Sequence, residues 1–146
     1  MGVADNGNTS NKDANVINFV GRQTNEEATA NYATFGLGKY GGLGLGTGSK
    51  IGTATIKLTN KLTSKVVVNA VRWSATEGNL VVNGVSNENF VSEANLQYFA
   101  DTRTEAAYNF DNNFEYIFDS STDEIVLSTG AAACRCLIYS VTIYFE

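Results

Sequence analysis

Short apolar runs recur along this chain, and stretches rich in Gly, Asn and Ser separate them. Most runs alternate apolar with polar residues, which is typical of strands with one buried face. Such runs cover residues 16–20, 53–58, 66–73, 79–82, 107–110, 115–118, 124–128 and 134–145. About eight short strands with almost no helix predict an all-β fold, because parallel strands would need helical crossovers. The expected architecture is an antiparallel β-sandwich.

The stretch Lys65–Gly84 predicts a β-hairpin. A β-branched run alternates onward to Trp73, Ser74–Gly78 interrupts the pattern, and a second apolar run then resumes it. Two apolar runs around five turn residues fit a hairpin with a longer loop. Asn83-Gly84, a dipeptide that favours tight turns, ends the second run.

Eight of the 14 glycines lie within Gly36–Gly52. Leu43 and Leu45 alternate with glycines there, which predicts a glycine-rich strand that another backbone or a ligand approaches closely. Residues 36–41 also match the pattern G-x-G-x-x-G, but a dinucleotide site needs a helix directly after it. Further glycines follow instead, so the sequence favours the strand.

The longest apolar run, 134–145, changes phase between Ile138 and Val141. This predicts a β-bulge near Tyr139-Ser140. Cys134 and Cys136 lie two positions apart, where strand Cα atoms are about 6.5–7 Å from each other, at or beyond disulfide reach. We therefore expect two free thiols.

Length and composition fit one folded domain. The chain has 146 residues, of which 43% are hydrophobic, enough for a core without disulfide or metal support. We expect residues 1–13 to be a disordered linker or an added tail, and 14–146 to form a single domain. No apolar run approaches the length of a membrane span, so we expect a soluble protein without membrane insertion.

Charge and the missing histidines argue against several functions. The net charge is −5, whereas nucleic-acid affinity depends on neutralising phosphates, so we expect no nucleic-acid partner. Histidine is absent, which removes the commonest general base and every Ser-His or Cys-His nucleophile pair. A glycosidase would need only two carboxylates, but no recognisable pair stands out among the 15 acids.

Several segments together resemble the galactose-binding-like jelly-roll modules of secreted gut-bacterial proteins. These segments are Leu43–Lys50, Ser64–Ala70, Asn79–Gly84, Asp123–Leu127 and Arg135–Ile143. The resemblance covers roughly Gly41–Glu146 and rests on pattern. It implies a non-catalytic accessory domain, often a carbohydrate-binding module, in an extracellular or cell-surface protein whose signal peptide lies outside this sequence. Cys134 and Cys136 depart from the family pattern, so no ligand residue is carried over.

Sugar binding needs aromatic faces together with a few polar groups that fix orientation. Trp73 ends its predicted strand and is the first candidate, with core or rim packing as the alternative. The other ligand-binding candidates are Arg72, Glu77, Tyr32, Tyr40, Tyr98, Tyr108 and Asn112, with Asn113 and Arg135 as further polar partners. The simplest role of Arg135 is a salt bridge with neighbouring Asp123 or Glu124.

Carboxylates suggest a structural calcium ion, although they lack EF-hand spacing. The candidate ligands are Asp111, Glu115, Asp119 and Asp123. This cofactor is an expectation from clustering alone.

We therefore expect a non-catalytic module that tethers a larger protein to polysaccharide, with starch-like α-glucan as the first choice of ligand. Its partners would be a polysaccharide or oligosaccharide and the covalently linked neighbouring domains. One alternative is a structural or adhesive spacer with a protein partner, and a less favoured one is a small glycoside hydrolase.

Overall fold

The computed structural model describes residues 4–5, 14–18, 28–31, 33–35, 42–74, 76–91 and 112–146, with side chains for the last three ranges. The described residues form twelve strands and one four-residue helix. The strands are β1 (Ala4–Asp5), β2 (Ala14–Asn18), β3 (Ala28–Asn31), β4 (Ala33–Phe35), β5 (Leu43–Leu45), β6 (Thr53–Lys57), β7 (Thr63–Arg72), β8 (Val81–Val82), β9 (Val85–Ser86), β10 (Asn113–Thr122), β11 (Glu124–Ser128) and β12 (Cys136–Phe145). The helix is α1 (Glu88–Val91).

The strands form two antiparallel sheets, which confirms the predicted all-β sandwich. In sheet A, β12 is central: β7 lies on one side of it and β5 and β2 on the other, while β10, β4 and β1 extend the sheet outward. Sheet B has the order β3-β6-β11-β8-β9. The eight strands from β5 onward divide four to each sheet.

The inner core fills the space between the sheets. Alternate residues of β7, β10 and β12 in sheet A meet alternate residues of β6, β8 and β11 in sheet B, as strand periodicity requires. The Tyr116 hydroxyl donates to the Leu80 carbonyl at 3.0 Å, so this buried polar group is satisfied. Phe90 of α1 packs edge-to-face on Phe114, with ring centroids 4.9 Å apart.

A second apolar cluster lies on the opposite face of sheet A. Val71 of β7 pairs with Leu137 of β12, and both are fully buried together with Tyr139. Trp73 packs against this cluster and is only partly buried. Sheet A is therefore buried on both faces at this end, which an alternating pattern with one polar face does not predict.

The bulge in β12 is confirmed. Ile138 pairs with Ala70 and Ser140 with Asn69, so Tyr139 is the extra residue on β12. The insertion reverses the side-chain phase at this point. It places Tyr139 in the same cluster as Leu137, while Val141 and Ile143 return to the inner core.

The predicted Lys65–Gly84 hairpin is wrong. β7 pairs with β10 and β12 in sheet A, whereas β8 pairs with β11 and β9 in sheet B. The chain thus crosses between sheets after Trp73. Asn83-Gly84 does make a tight turn, with φ of 48° and 80°, and it joins β8 to β9. These positive values at both central residues are those of a type I′ hairpin turn.

The glycine-rich strand is confirmed as a place of close backbone approach. Gly44 of β5 pairs with Leu137 on one side and Thr34 on the other. A Cβ atom at Gly52 would lie 2.0 Å from the Gly46 nitrogen, so only glycine fits where the chain returns beside β5.

The later strands match the predicted apolar runs in part. β11 coincides with the predicted 124–128, β10 is a single strand over 113–122, and residues 107–110 lie outside the described residues. β1 (Ala4–Asp5) lies inside the predicted tail and pairs with β2.

Cys134 and Cys136 are free thiols, the first half-buried and the second buried. No helix among the described residues is long and apolar enough to cross a membrane.

Candidate functional site

Trp73, the single tryptophan of the chain, directly follows β7 at one end of sheet A. Its backbone nitrogen donates to the Arg135 carbonyl at 3.1 Å, which holds it beside the segment leading into β12. Ser74 and Glu77 exchange backbone hydrogen bonds of 2.9 and 3.3 Å and close a tight turn. The turn brings Glu77 back to Arg135, although 58 positions separate them.

Arg135 joins the tryptophan to the carboxylate. Its guanidinium carbon lies 4.5 Å from the centre of the Trp73 ring, within the range of a cation–π contact. Its Nη2 donates to Glu77 Oε2 at 2.7 Å and its Nε donates to Glu77 Oε1. This two-point contact fixes the plane of the guanidinium over the ring. We call Trp73, Arg135 and Glu77 the Trp73 surface.

The pair between Arg135 and Glu77 shifts both titrations. Hydrogen bonding from Arg135 lowers the pKa of Glu77 below its ordinary value of 4.5, and the same hydrogen bond raises the pKa of Arg135. The two side chains are 31% and 17% exposed, so water screens their attraction only in part. Both groups are therefore charged, and paired, at neutral pH.

The expected pairing of Arg135 with Asp123 or Glu124 is wrong. Glu124 instead faces Lys57, with Nζ and Oε2 3.6 Å apart. The residues nearest to Arg135 among the acids of its own region are not its partners, because the chain that crosses from sheet A to sheet B after β7 places Glu77 beside Arg135. No signal within the Arg135 segment itself indicates that contact.

Arg72 does not lie on the Trp73 surface. It is 8% exposed, and successive strand residues point to opposite faces, so it lies on the other side of β7 from Trp73. Gly78 packs against it so closely that a Cβ there would lie 2.5 Å from Arg72 Cβ. Burial of the guanidinium argues against direct contact with a polysaccharide, and the role of Arg72 in ligand binding stays a prediction.

Glu77 holds Arg135 in place, because both of its carboxylate oxygens accept hydrogen bonds from the guanidinium. A direct contact of Glu77 with a sugar stays a prediction. Asn112 is half-buried, and its carbonyl accepts from Ala70 N at 3.1 Å, which places it along the same end of sheet A. Asn113 Oδ1 accepts from Asn69 Nδ2 at 3.2 Å. Tyr32, Tyr40, Tyr98 and Tyr108 lie outside the described residues.

A groove of about 470 Å³ forms where β10 leaves β7 and passes toward β11. Its walls are Asn83, Val85, Phe118, Asp119, Ser120, Thr122, Glu124 and Val126. Asn83 is fixed there, because its Oδ1 accepts from Val126 N at 2.6 Å and its Nδ2 donates to the Glu124 carbonyl at 2.9 Å. Trp73, Arg135 and Glu77 are not among these lining residues.

The described carboxylates do not assemble the expected calcium site. Glu115 forms an ion pair with Lys65, and in the ranges with described side chains no three acidic or thiol groups lie close enough to hold a metal ion. Asp111 lies outside those ranges. Calcium binding therefore stays a prediction.

Comparisons with known proteins add no relative: no family model, curated protein or solved structure matches this chain significantly. The resemblance to galactose-binding-like modules accordingly stays a prediction.

Proposed function

We propose that this sandwich is a non-catalytic carbohydrate-binding module that tethers a larger secreted or cell-surface protein to polysaccharide. The observation that carries the proposal is the Trp73 surface: a half-buried aromatic ring covered by a guanidinium that a carboxylate fixes in place. The surface lies beside the turn where β7 ends, and loops on a rigid β scaffold commonly carry binding residues.

The chemistry of this surface suits a sugar ring. Aromatic surface favours contact with the apolar side of a pyranose, and fixed N–H donors orient its hydroxyls. Arg135 has five N–H donors, of which Glu77 engages one on Nε and one on Nη2. No described residue accepts a hydrogen bond from its Nη1. These N–H groups supply directional donors beside the ring.

Affinity gel electrophoresis tests the proposal. Wild-type protein should be retarded in a gel containing at least one soluble polysaccharide, and a soluble starch-like α-glucan is the first to include. Trp73→Ala should weaken that retention by about 1–3 kcal/mol, the loss expected at an aromatic anchor. Leu62→Ala is the matched control, because Leu62 is also a large side chain and is 48% exposed.

The stability of the Trp73→Ala variant separates a binding role from a packing role. The half-buried ring should contribute about 1–2 kcal/mol to the free energy of unfolding, below the 3–5 kcal/mol of a fully buried tryptophan. Equal retention of Trp73→Ala and wild type would show that the Trp73 surface is not the binding site. Retention by no polysaccharide would favour the spacer function, and release of sugars would favour the glycosidase.

A further inference from the structure

We infer that the Trp73 surface selects neutral polysaccharides over acidic ones, and that Glu77 sets this preference as a positioning residue. The inference depends on the proposed function for its ligand, but its physical basis can be tested without any glycan. It concerns the contribution of the pair between Arg135 and Glu77 to the charge that a ligand meets at Trp73.

The first step is the charge balance. Arg135 contributes one positive charge over the Trp73 ring and Glu77 contributes one negative charge in direct contact with it. The pair is therefore neutral as a unit, and the chain around it carries a net charge of −5. A carboxylated or sulfated glycan would meet no uncompensated positive charge on this pair, and the net negative charge of the chain would repel it.

The second step is the hydrogen-bonding capacity that remains. The Nη1 donors of Arg135 can still bind a hydroxyl oxygen, which carries no charge and suffers no repulsion from Glu77. For an anionic group the same donors are less favourable, because the Glu77 carboxylate lies within contact of the same guanidinium. Neutral hydroxyls are thus the best acceptors for this surface.

Arg72 is another cation adjacent to Trp73 in sequence, but it is buried and lies on the opposite face of β7. Gly78 packs against the aliphatic stem of Arg72. Arg72 therefore does not replace the charge that Glu77 cancels at Trp73.

Because Trp73 is the only tryptophan, quenching of its fluorescence reports the local charge directly. Iodide is an anionic quencher, caesium is cationic, and acrylamide is neutral. In Glu77→Gln the Arg135 charge is uncompensated, and the ratio of iodide to acrylamide quenching constants should rise about twofold at low salt. In Arg135→Gln the Glu77 charge is uncompensated, so iodide quenching should fall and caesium quenching should rise.

Glu88→Gln is the matched control. Glu88 is an exposed residue of α1, and its substitution changes the net charge of the chain by the same amount as Glu77→Gln. Glu88→Gln should leave the ratio of iodide to acrylamide quenching constants unchanged. Partial unfolding would raise quenching by all three agents, so it cannot imitate opposite shifts in the two site variants. Identical iodide ratios in wild type, Glu77→Gln and Arg135→Gln would overturn the inference.

The glycan experiment then tests selectivity. Wild-type protein should be retarded by a neutral polysaccharide and not by polygalacturonate, whereas Glu77→Gln should gain retention by polygalacturonate that disappears in high salt. Wild-type retention by polygalacturonate would contradict the inference while supporting the proposed function. Failure of every glycan to bind, with the quenching shifts present, would overturn the proposed function and the neutral-glycan preference, leaving only the charge role of Glu77.

Discussion

Opposite faces of the same two strands, β7 and β12, contribute to the inner core and to the second apolar cluster, against which Trp73 packs. In the inner core, residues such as Val68 and Ile138 are fully buried and are held by apolar packing. On the Trp73 surface, the aromatic ring is half-buried and is covered by an ion pair from two other segments. Packing in the first region stabilises the fold, while the second keeps charged side chains that are partly exposed to solvent.

This difference explains why one sheet can serve both purposes. The bulge at Tyr139 lets β12 bury Leu137 and Tyr139 on the outer face while Val141 and Ile143 face the inner core. Trp73, which directly follows β7, packs against this second apolar cluster. Substitutions in the inner core should therefore affect stability, and substitutions on the Trp73 surface should affect mainly binding and local charge.

The largest effect should come from the inner core. Ile138→Ala removes a fully buried side chain between the sheets and should lower the free energy of unfolding by about 2–5 kcal/mol. Ile117→Ala is the control, since Ile117 is 61% exposed on β10 and should change stability by no more than about 0.5 kcal/mol. Denaturant unfolding of the three proteins measures both values. Equal losses would contradict the assigned core.

A smaller effect should follow from Gly78→Ala, which acts where the crossing segment meets β7. The new Cβ would lie 2.5 Å from Arg72 Cβ, and relieving that overlap should cost about 1–3 kcal/mol. The displaced turn carries Glu77, so tryptophan emission should change as well. Gly48→Ala is the control, because its Cβ would meet no atom within 4 Å. Unchanged stability and emission in Gly78→Ala would show that the turn does not pack as described.

The smallest effect on stability should come from the ion pair. Glu77→Gln removes a partly exposed, two-point contact and should cost about 1 kcal/mol at neutral pH. The pKa of Glu77 is lowered in the folded protein, so its contribution is present above the ordinary pKa of 4.5 and is lost as pH falls through the lowered value.

Thermal or denaturant unfolding as a function of pH tests whether the contribution of Glu77 to stability is lost on acidification. The difference in stability between wild type and Glu77→Gln should be constant from pH 6 to 8 and should shrink below pH 4.5. A difference that grows on acidification would contradict the assigned pair.

The sequence predicts local features of this fold well. The alternation of residues 124–128 gave the bounds of β11, the phase change gave the bulge at Tyr139, and Asn83-Gly84 gave a turn. Each of these depends on a pattern within a few residues. The pairing of β7 with β8 was wrong because an apolar run does not indicate which of two sheets its neighbour joins.

The candidate site was harder to predict for the same reason. Trp73 stood out because it is the only tryptophan and ends a strand, and Glu77 was close in sequence. The contact of Glu77 with Arg135 joins residues 58 positions apart, and the burial of Arg72 depends on the later return of Gly78. Both follow from the crossing between sheets, which short-range patterns do not contain.

The most direct measurement is a titration of the intrinsic fluorescence of wild-type protein with a soluble neutral oligosaccharide such as maltoheptaose. If the Trp73 surface binds neutral glycan, the emission of Trp73 should change and reach saturation as oligosaccharide is added. Arg135→Gln should bind more weakly, so its midpoint concentration should be higher. Binding that is detected by calorimetry or by an affinity gel but leaves the emission of Trp73 unchanged would contradict the account, because it would place the ligand away from the only tryptophan.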